Sequence, residues 1–295
     1  MDLTDLKTFE AVARLGSMNK AAVELNTVQS NVTARIRALE EDVGLALFER
    51  HARGVVTTPS GQRLMPFVGR IAKLVEDARA AARDDGAPAG TLMLGSLETT
   101  MALRLSPLLA DFARKWPQVR LVVSSGNTAT LVRDVVECKL DGAFVAGPVE
   151  HPEIEQKRVF TEDLVLVASP AVSSLKALAK IADLKTVVFQ FGCSYRQRLE
   201  AFLYGRGLVV ARPLEFGSLD AILSCVAAGV GVTLLPHGVV EQAAAAGKVS
   251  VHRLPAELAR MQTLFIRRRD GHVSSALGAF LEMAEGAPRR KAKAA

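Results

Sequence analysis

The sequence predicts an α/β fold in three parts: an N-terminal winged helix-turn-helix, a long linker helix and a C-terminal two-lobed α/β domain. Three observations predict it. Residues 17–50 read as two short amphipathic helices meeting at a tight break, followed by a strand. One helical stripe of apolar side chains then runs from about residue 59 to 83. Beyond residue 91, strand-like and helix-like segments alternate.

The first helix is expected over Leu3–Leu15, with Leu6, Phe9, Val12 and Ala13 closing a three-helix core. Lys20–Leu25 follows, capped by Ser17 or Asn19 and burying Ala21, Ala22 and Leu25. Asn26-Thr27-Val28-Gln29 breaks the chain, and a second helix runs from about Gln29 to Glu41 with Val32, Ile36 and Leu39 inward. That spacing leaves Gln29, Ser30, Asn31, Thr33 and Arg35 on or near the outer side. Amides, hydroxyls and a guanidinium on one face of a helix suit the donor and acceptor pattern of a DNA major groove. Leu45–Arg50 and His51–Thr58 then form two strands around a glycine turn, the pattern of a wing. Arg53 stands at its tip, where a cation suits the narrow minor groove, and Arg50 and His51 lie beside it near phosphates. Double-stranded DNA is the expected partner.

The linker helix is expected from Pro59 to Arg83, capped by Ser60, with Leu64, Phe67, Val68, Ile71, Leu74, Val75 and Ala78 on one face. Nothing nearby in sequence is obliged to cover that face, so it is expected to pair with a second copy of itself. Asp84–Gly90 makes a hinge. Expected strands follow at Thr91–Gly95, Val119–Ser124, Asp141–Ala146, Leu164–Ala168, Val187–Gln190, Gly231–Leu235 and Met261–Arg267. Expected helices fall at Ala102–Trp116, Thr128–Lys139, Tyr195–Gly205, Leu219–Ala228 and Val273–Glu285. A change of unit near Glu162 and the late return strand imply two lobes.

Phe9, Ala21-Ala22, Gln29-Ser30, Ile36, Leu39-Glu40, Gly44, Leu47-Phe48-Glu49-Arg50 and Thr57-Pro59-Gly61 together resemble the head of LysR-type transcriptional regulators. Two departures stand out. The chain carries Thr33-Ala34 where the family commonly has serine and arginine, with its arginine displaced to Arg35, and its turn reads Thr27-Val28. Further on, Leu140-Asp141-Gly142-Ala143-Phe144 with Gly147-Pro148 is similar to one of the most recognisable stretches of the same family's effector domain. Ala227–Val232 with Leu235-Pro236 is similar to the other. The resemblance implies a periplasmic-binding-protein-like effector-binding domain, dimerisation through the linker helix, and transcription regulation by activation or repression. It divides the chain into 1–58 (head), 59–90 (linker and hinge), 91–285 (effector domain) and 286–295 (basic tail). Lobe I takes about 91–162 and 261–285, and lobe II about 163–260.

In open α/β sheets, small ligands bind beyond the carboxyl ends of strands, beside helix N-termini. Four such ends can be read, and they nominate Ser96, Thr99, Thr100, Thr128, Cys193, Ser194 and Ser218 as effector-binding residues. Hydroxyls and helix ends favour an anionic effector such as a carboxylate. Glu98 and Asp220 point instead to a cationic or hydroxylated group over part of the site.

The alternatives turn on Cys193, as the nucleophile of an enzyme or as a redox-sensing thiol. No histidine is spaced as its base, no phosphate loop or dinucleotide fingerprint occurs, and Cys225, the candidate resolving thiol, falls in an apolar helix. The chain is therefore expected not to be an enzyme. Three cysteines form no C-x-x-C pair and five histidines lack zinc-ligand spacing, so no metal and no cofactor are expected. Length (295 residues) and a 49% hydrophobic fraction suit several globular domains. No run approaches the ~18 apolar residues of a membrane span, nor does residues 1–30 hold a secretory segment, so the expected place is the cytoplasm. A net charge of +6 and a pI near 9.4 suit a polyanion, though Arg289, Arg290, Lys291 and Lys293 supply part of the excess. A homodimer or homotetramer and contact with RNA polymerase complete the expected partners.

Overall fold

The computed structural model describes residues 1–51, 54–181, 183–208, 210 and 213–286. It falls into two compact units, Met1–Asp84 with Glu137–Lys139, and Asp85–Val136 with the chain from Leu140 onward. The expected basic tail, apart from Gly286, lies outside the described residues. Among these residues no helix is long and apolar enough to cross a membrane.

The first unit opens with α1 (Leu3–Leu15), whose N-terminus is closed by a reciprocal Asp2/Asp5 capping box. Gly16, left-handed at φ 61°, ends it. Then come α2 (Met18–Glu24), capped by Ser17, and α3 (Gln29–Val43). Phe9, Val12, Ala21, Val32, Ile36 and Leu39 share the buried centre of the three. The wing is an antiparallel hairpin of β1 (Phe48–His51) and β2 (Gly54–Thr57). Glu40 fixes its approach by accepting from the N–H groups of Leu47 and Phe48 at 2.8 and 3.2 Å. Phe48 meets Phe9 with ring centroids 5.1 Å apart.

Helix α4 (Pro59–Arg83) follows. Thr58, not Ser60, is its cap: the Thr58 hydroxyl accepts from Gly61 N at 3.1 Å. Proline takes the first helical position, so the capping role falls on Thr58, two residues before Ser60. A side chain at Gly61 would put its Cβ 2.4 Å from the Leu47 carbonyl oxygen, so only glycine lets this turn sit against the wing's approach. The apolar stripe is shared out. Leu64, Met65, Val68 and Ile71 pack against the head's own core, whereas Phe67 and Leu74 are 57% and 68% exposed.

The second unit begins with β3 (Gly90–Ser96), α5 (Glu98–Thr100), a π-helical segment at Met101–Leu105, and α6 (Ser106–Lys115). The helix expected from Ala102 therefore starts four residues earlier. Next are β4 (Val119–Ser125), α7 (Thr128–Val136), β5 (Gly142–Ala146) and β6 (Ile154–Ala168). Helix α7 stops before the expected Lys139, and Cys138 turns left-handed at φ 60°. β7 (Val187–Phe189), α8 (Ser194–Tyr204), β8 (Leu214–Phe216), α9 (Leu219–Ala227) and β9 (Thr233–Pro236) build the second lobe. α10 (His237–Ala245), β10 (Ser250–Arg253), α11 (Ala256–Ala259), β11 (Arg260–Arg268) and α12 (Ser275–Gly286) complete it and return to the first.

One main sheet runs β10-β6-β11-β5-β3-β4, with β9 also paired to β6. Strand β6 crosses the lobes. Its residues from Ile154 to Asp163 pair with β11, and Leu164–Ala168 pair with β9 and β10. β3 lies parallel to β4 and β5, and β7 parallel to β8, so two crossover units stand on either side of that strand. Phe112, Phe144, Phe265 and Phe280 fill the first lobe, and Val165, Val187, Ile222, Val226 and Leu235 the second. The sequence reading missed the first half of β6, whose exposed Glu155-Gln156-Lys157-Arg158 run carries no strand-like alternation, and also missed α10 and β10.

Candidate functional site

Two surfaces gather the nominated residues, one in each unit. In the head, Val32, Ile36 and Leu39 turn α3 so that Gln29, Ser30, Asn31, Ala34, Arg37 and Ala38 are exposed. Gln29 Nε2 donates to Thr33 Oγ1 at 3.0 Å, and that hydroxyl donates to the Gln29 carbonyl, so the two side chains hold one another along the outer face. Asn31 donates from Nδ2 to Thr27 Oγ1 at 2.9 Å across the turn. Arg35, expected on or near the outer side, donates to Asp5 at 3.0 Å and lies 3.9 Å from Asp2, fastening α3 to the start of α1. Arg37 was missed. It sits two turns after Ser30 and makes no ion pair among the described residues; its i, i+7 spacing was the available signal. Arg50 is exposed on β1, opposite Val55, and Arg53 lies outside the described residues.

In the second unit, a cavity of ≈ 140 Å³ opens where the parallel strands end. Leu97, Glu98 and Thr99 follow β3, and Ser125, Gly126 and Asn127 follow β4. From the other lobe come Phe189 and Gln190 at the end of β7, Cys193 and Tyr195 at α8, and Phe216 and Gly217 at the end of β8. Four hydrogen bonds cross it. Thr99 Oγ1 and Tyr195 Oη are 3.1 Å apart, and Asn127 Nδ2 donates to the Phe191 carbonyl at 2.9 Å. Leu219 N donates to Glu98 Oε1 at 2.9 Å, and Ser194 Oγ donates to Thr128 Oγ1 at 3.5 Å.

Of the nominated effector residues, Thr99 and Cys193 stand in the cavity wall. Ser96 does not: it is fully buried and donates its hydroxyl to the Leu97 carbonyl. Thr100 is buried in the first turn of α5, because that helix begins four residues before the expected start. Thr128 and Ser194 bond each other, and Ser218 is exposed beside the cavity rather than in its wall. The chain's own groups occupy some of these helix starts, as Glu98 does at α9. Tyr195, Asn127 and Gln190 were missed, each lying within two residues of a strand end or a nominated residue. Among the described residues, the wall includes Glu98 and no lysine, arginine or histidine.

Cys193 is 6% exposed, and burial pushes its thiol up from the ordinary value of 9.0, against weaker help from the N–H groups of Arg196 and Tyr195. A raised thiol is the opposite of what a nucleophile or a peroxide sensor needs. Burial likewise pushes the Tyr195 phenol up, keeping it a neutral donor.

Both parts of the chain find counterparts in known proteins. The family described as "Bacterial regulatory helix-turn-helix protein, lysR family" matches residues 3–62, and "LysR substrate binding domain" matches residues 85–288. The HTH-type transcriptional regulator GltR of Bacillus subtilis is 40% identical over 281 residues, 95% of each chain. The HTH-type transcriptional regulator CzcR of Bacillus cereus is 39% identical over 285 residues, 97% of each. Among solved structures, full-length CbnR complexed with target DNA aligns with TM-score 0.66 at 24% identity, covering 97% of this chain and 99% of that one. ArgP from Mycobacterium tuberculosis aligns with TM-score 0.71 at 19% identity, covering 98% and 99%. These two show a shared fold. With both parts of the family matched along nearly its whole length, the chain belongs to the LysR family of bacterial HTH-type transcriptional regulators.

Proposed function

We propose that this regulator reads promoter DNA through the outer face of α3 and responds to a small molecule held in the cavity between its lobes. In this reading Gln29, Ser30, Asn31 and Thr33 approach base edges in the major groove, Arg37 and Arg50 engage phosphates, and Arg53 reaches the minor groove from the wing. Arg35 holds the recognition helix in place. The carrying observation is α3 itself: one side locked into a three-helix core, the other exposed with its amide and hydroxyl already oriented by the Gln29–Thr33 pair.

The working division is a head at 1–58, a linker and hinge at 59–90 and an effector domain at 91–285. Two copies pair through the exposed part of α4 and present two recognition helices to an inverted repeat, in a dimer or a pair of dimers. The protein works in the cytoplasm, with RNA polymerase as a further partner, and without catalysis. A ligand that prefers one arrangement of the lobes shifts the protein towards it by its difference in affinity.

Selection of bound duplexes from a random pool with the full chain tests the DNA half. An enriched inverted repeat that loses base preference at defined positions in Gln29→Ala supports the reading. Equal binding of all sequences sinks it.

A further inference from the structure

We propose that the effector cavity takes a small organic cation, an amine carried on an apolar body, with Glu98 as its counter-charge. This rests on the reading of the cavity as the effector site. Glu98 lines the cavity and spends Oε1 on Leu219 N at 2.9 Å, while Oε2 makes no hydrogen bond among the described residues. Phe189, Tyr195 and Phe216 supply aromatic rings to the same wall, and ring faces attract ammonium groups. Gln190 adds an amide.

Several groups of these lobes that would welcome an anion are already committed. Arg104 pairs with Glu162 at 2.8 Å, Arg196 with Glu200 and Glu215, and Arg133 lies 3.5 Å from Asp134. Arg198 donates to the carbonyl oxygens of Leu258 and Arg260. Leu219 N at the start of α9 holds Glu98 itself, and Asn127 Oδ1 accepts from Thr130 N at the start of α7. A carboxylate entering this space would meet Glu98 without a compensating cation. An ammonium group would hydrogen-bond Oε2 while Oε1 keeps its hold on α9. Binding would then tighten a contact that already joins the two lobes.

The test is calorimetry of the full chain with a matched series: benzylamine, benzyl alcohol and benzoate, with n-butylamine as an aliphatic amine. Binding by the amines and not by benzoate is expected, with Glu98→Gln weakening the amines about tenfold or more and leaving benzyl alcohol unchanged. Binding of benzoate in place of the amines, no binding by either amine, or an unaltered amine affinity in Glu98→Gln overturns the cation proposal. Gly217→Trp separates this from failure of the site itself. Gly217 lines the cavity and a Cβ built there meets nothing within 4 Å, so a side chain can start from this position without a clash. Amine binding that survives Gly217→Trp places the ligand outside the cavity and removes the underlying reading. Benzoate binding that disappears in Gly217→Trp keeps the cavity and removes only the cation.

Discussion

Arg35 and Asp5 are thirty positions apart and meet at 3.0 Å, with the aspartate side chain only 12% exposed. That contact turns a residue with the chemistry of a base reader into a brace. Arg35→Ala should lower the thermal midpoint by an amount equivalent to about 1 kcal/mol or less, since the arginine is a third exposed, and should keep base preference intact. Gln29→Ala should weaken operator binding by about 1–3 kcal/mol with random DNA unaffected. Arg50→Ala should weaken both equally and reduce the salt slope by about one. Fluorescence anisotropy on the selected operator and a scrambled duplex distinguishes the three. Two titrating groups, partly buried His252 and buried Cys193, each make a pH-dependent contribution to stability. Burial holds His252 below its ordinary 6.5, so its contribution is full above that pH and is lost as pH falls towards the folded value. Cys193 is held above its ordinary 9.0, so its contribution is full below that pH and is lost as pH rises. Thermal midpoints across pH should therefore fall on both sides. His252→Gln should flatten the acid limb and Cys193→Ala the alkaline one. Unchanged limbs would assign the titration to other groups.

At the scale of elements, α4 shows what a periodic pattern can and cannot say. Its stripe of leucine, valine and isoleucine predicts an amphipathic helix correctly, but two surfaces divide that stripe. Val68 is 2% exposed in the head's core, whereas Leu74 is 68% exposed. A charge at Val68 buries an unpaired ion, so Val68→Glu should cost several kcal/mol and melt the head. Leu74→Glu should leave helix content and melting of the chain intact while abolishing dimerisation. Sedimentation beside circular dichroism separates the outcomes, and a Leu74→Glu protein that still sediments as a dimer moves the interface elsewhere. The wing was legible for a different reason. A glycine turn between short strands is a local signal, and Glu40, which orders the wing's approach through two backbone bonds, is itself part of the recognisable motif.

At the scale of the whole effector unit, the lobes share a continuous apolar core and a few polar contacts. Strand β6 passes between them, and Thr99–Tyr195, Asn127–Phe191 and Glu98–Leu219 close the gap above it. Tyr195→Phe removes one such bond and leaves the buried Thr99 hydroxyl without that partner. It should cost about 0.5–3 kcal/mol in urea denaturation of the full chain. DNA binding without effector should persist, because the head has its own core. Loss of DNA binding in Tyr195→Phe would mean that the two units do not fold independently.

Local order was what the sequence determined by itself. The turn residues, caps and 3.6-residue periodicity placed the three head helices and the wing. The alternation after residue 91 was enough for a two-lobed α/β unit, because each signal is carried within one element. Only the tertiary structure decided the site. Whether a serine at a strand end faces a ligand depends on what else reaches it: Ser96 turns to Leu97, Thr128 to Ser194, and Leu219 N to Glu98 from the opposite lobe. Those partners lie from 1 to 121 positions away. A polar group's role is settled by competition among all donors and acceptors that folding brings within about 3 Å, and separation along the chain does not record that distance.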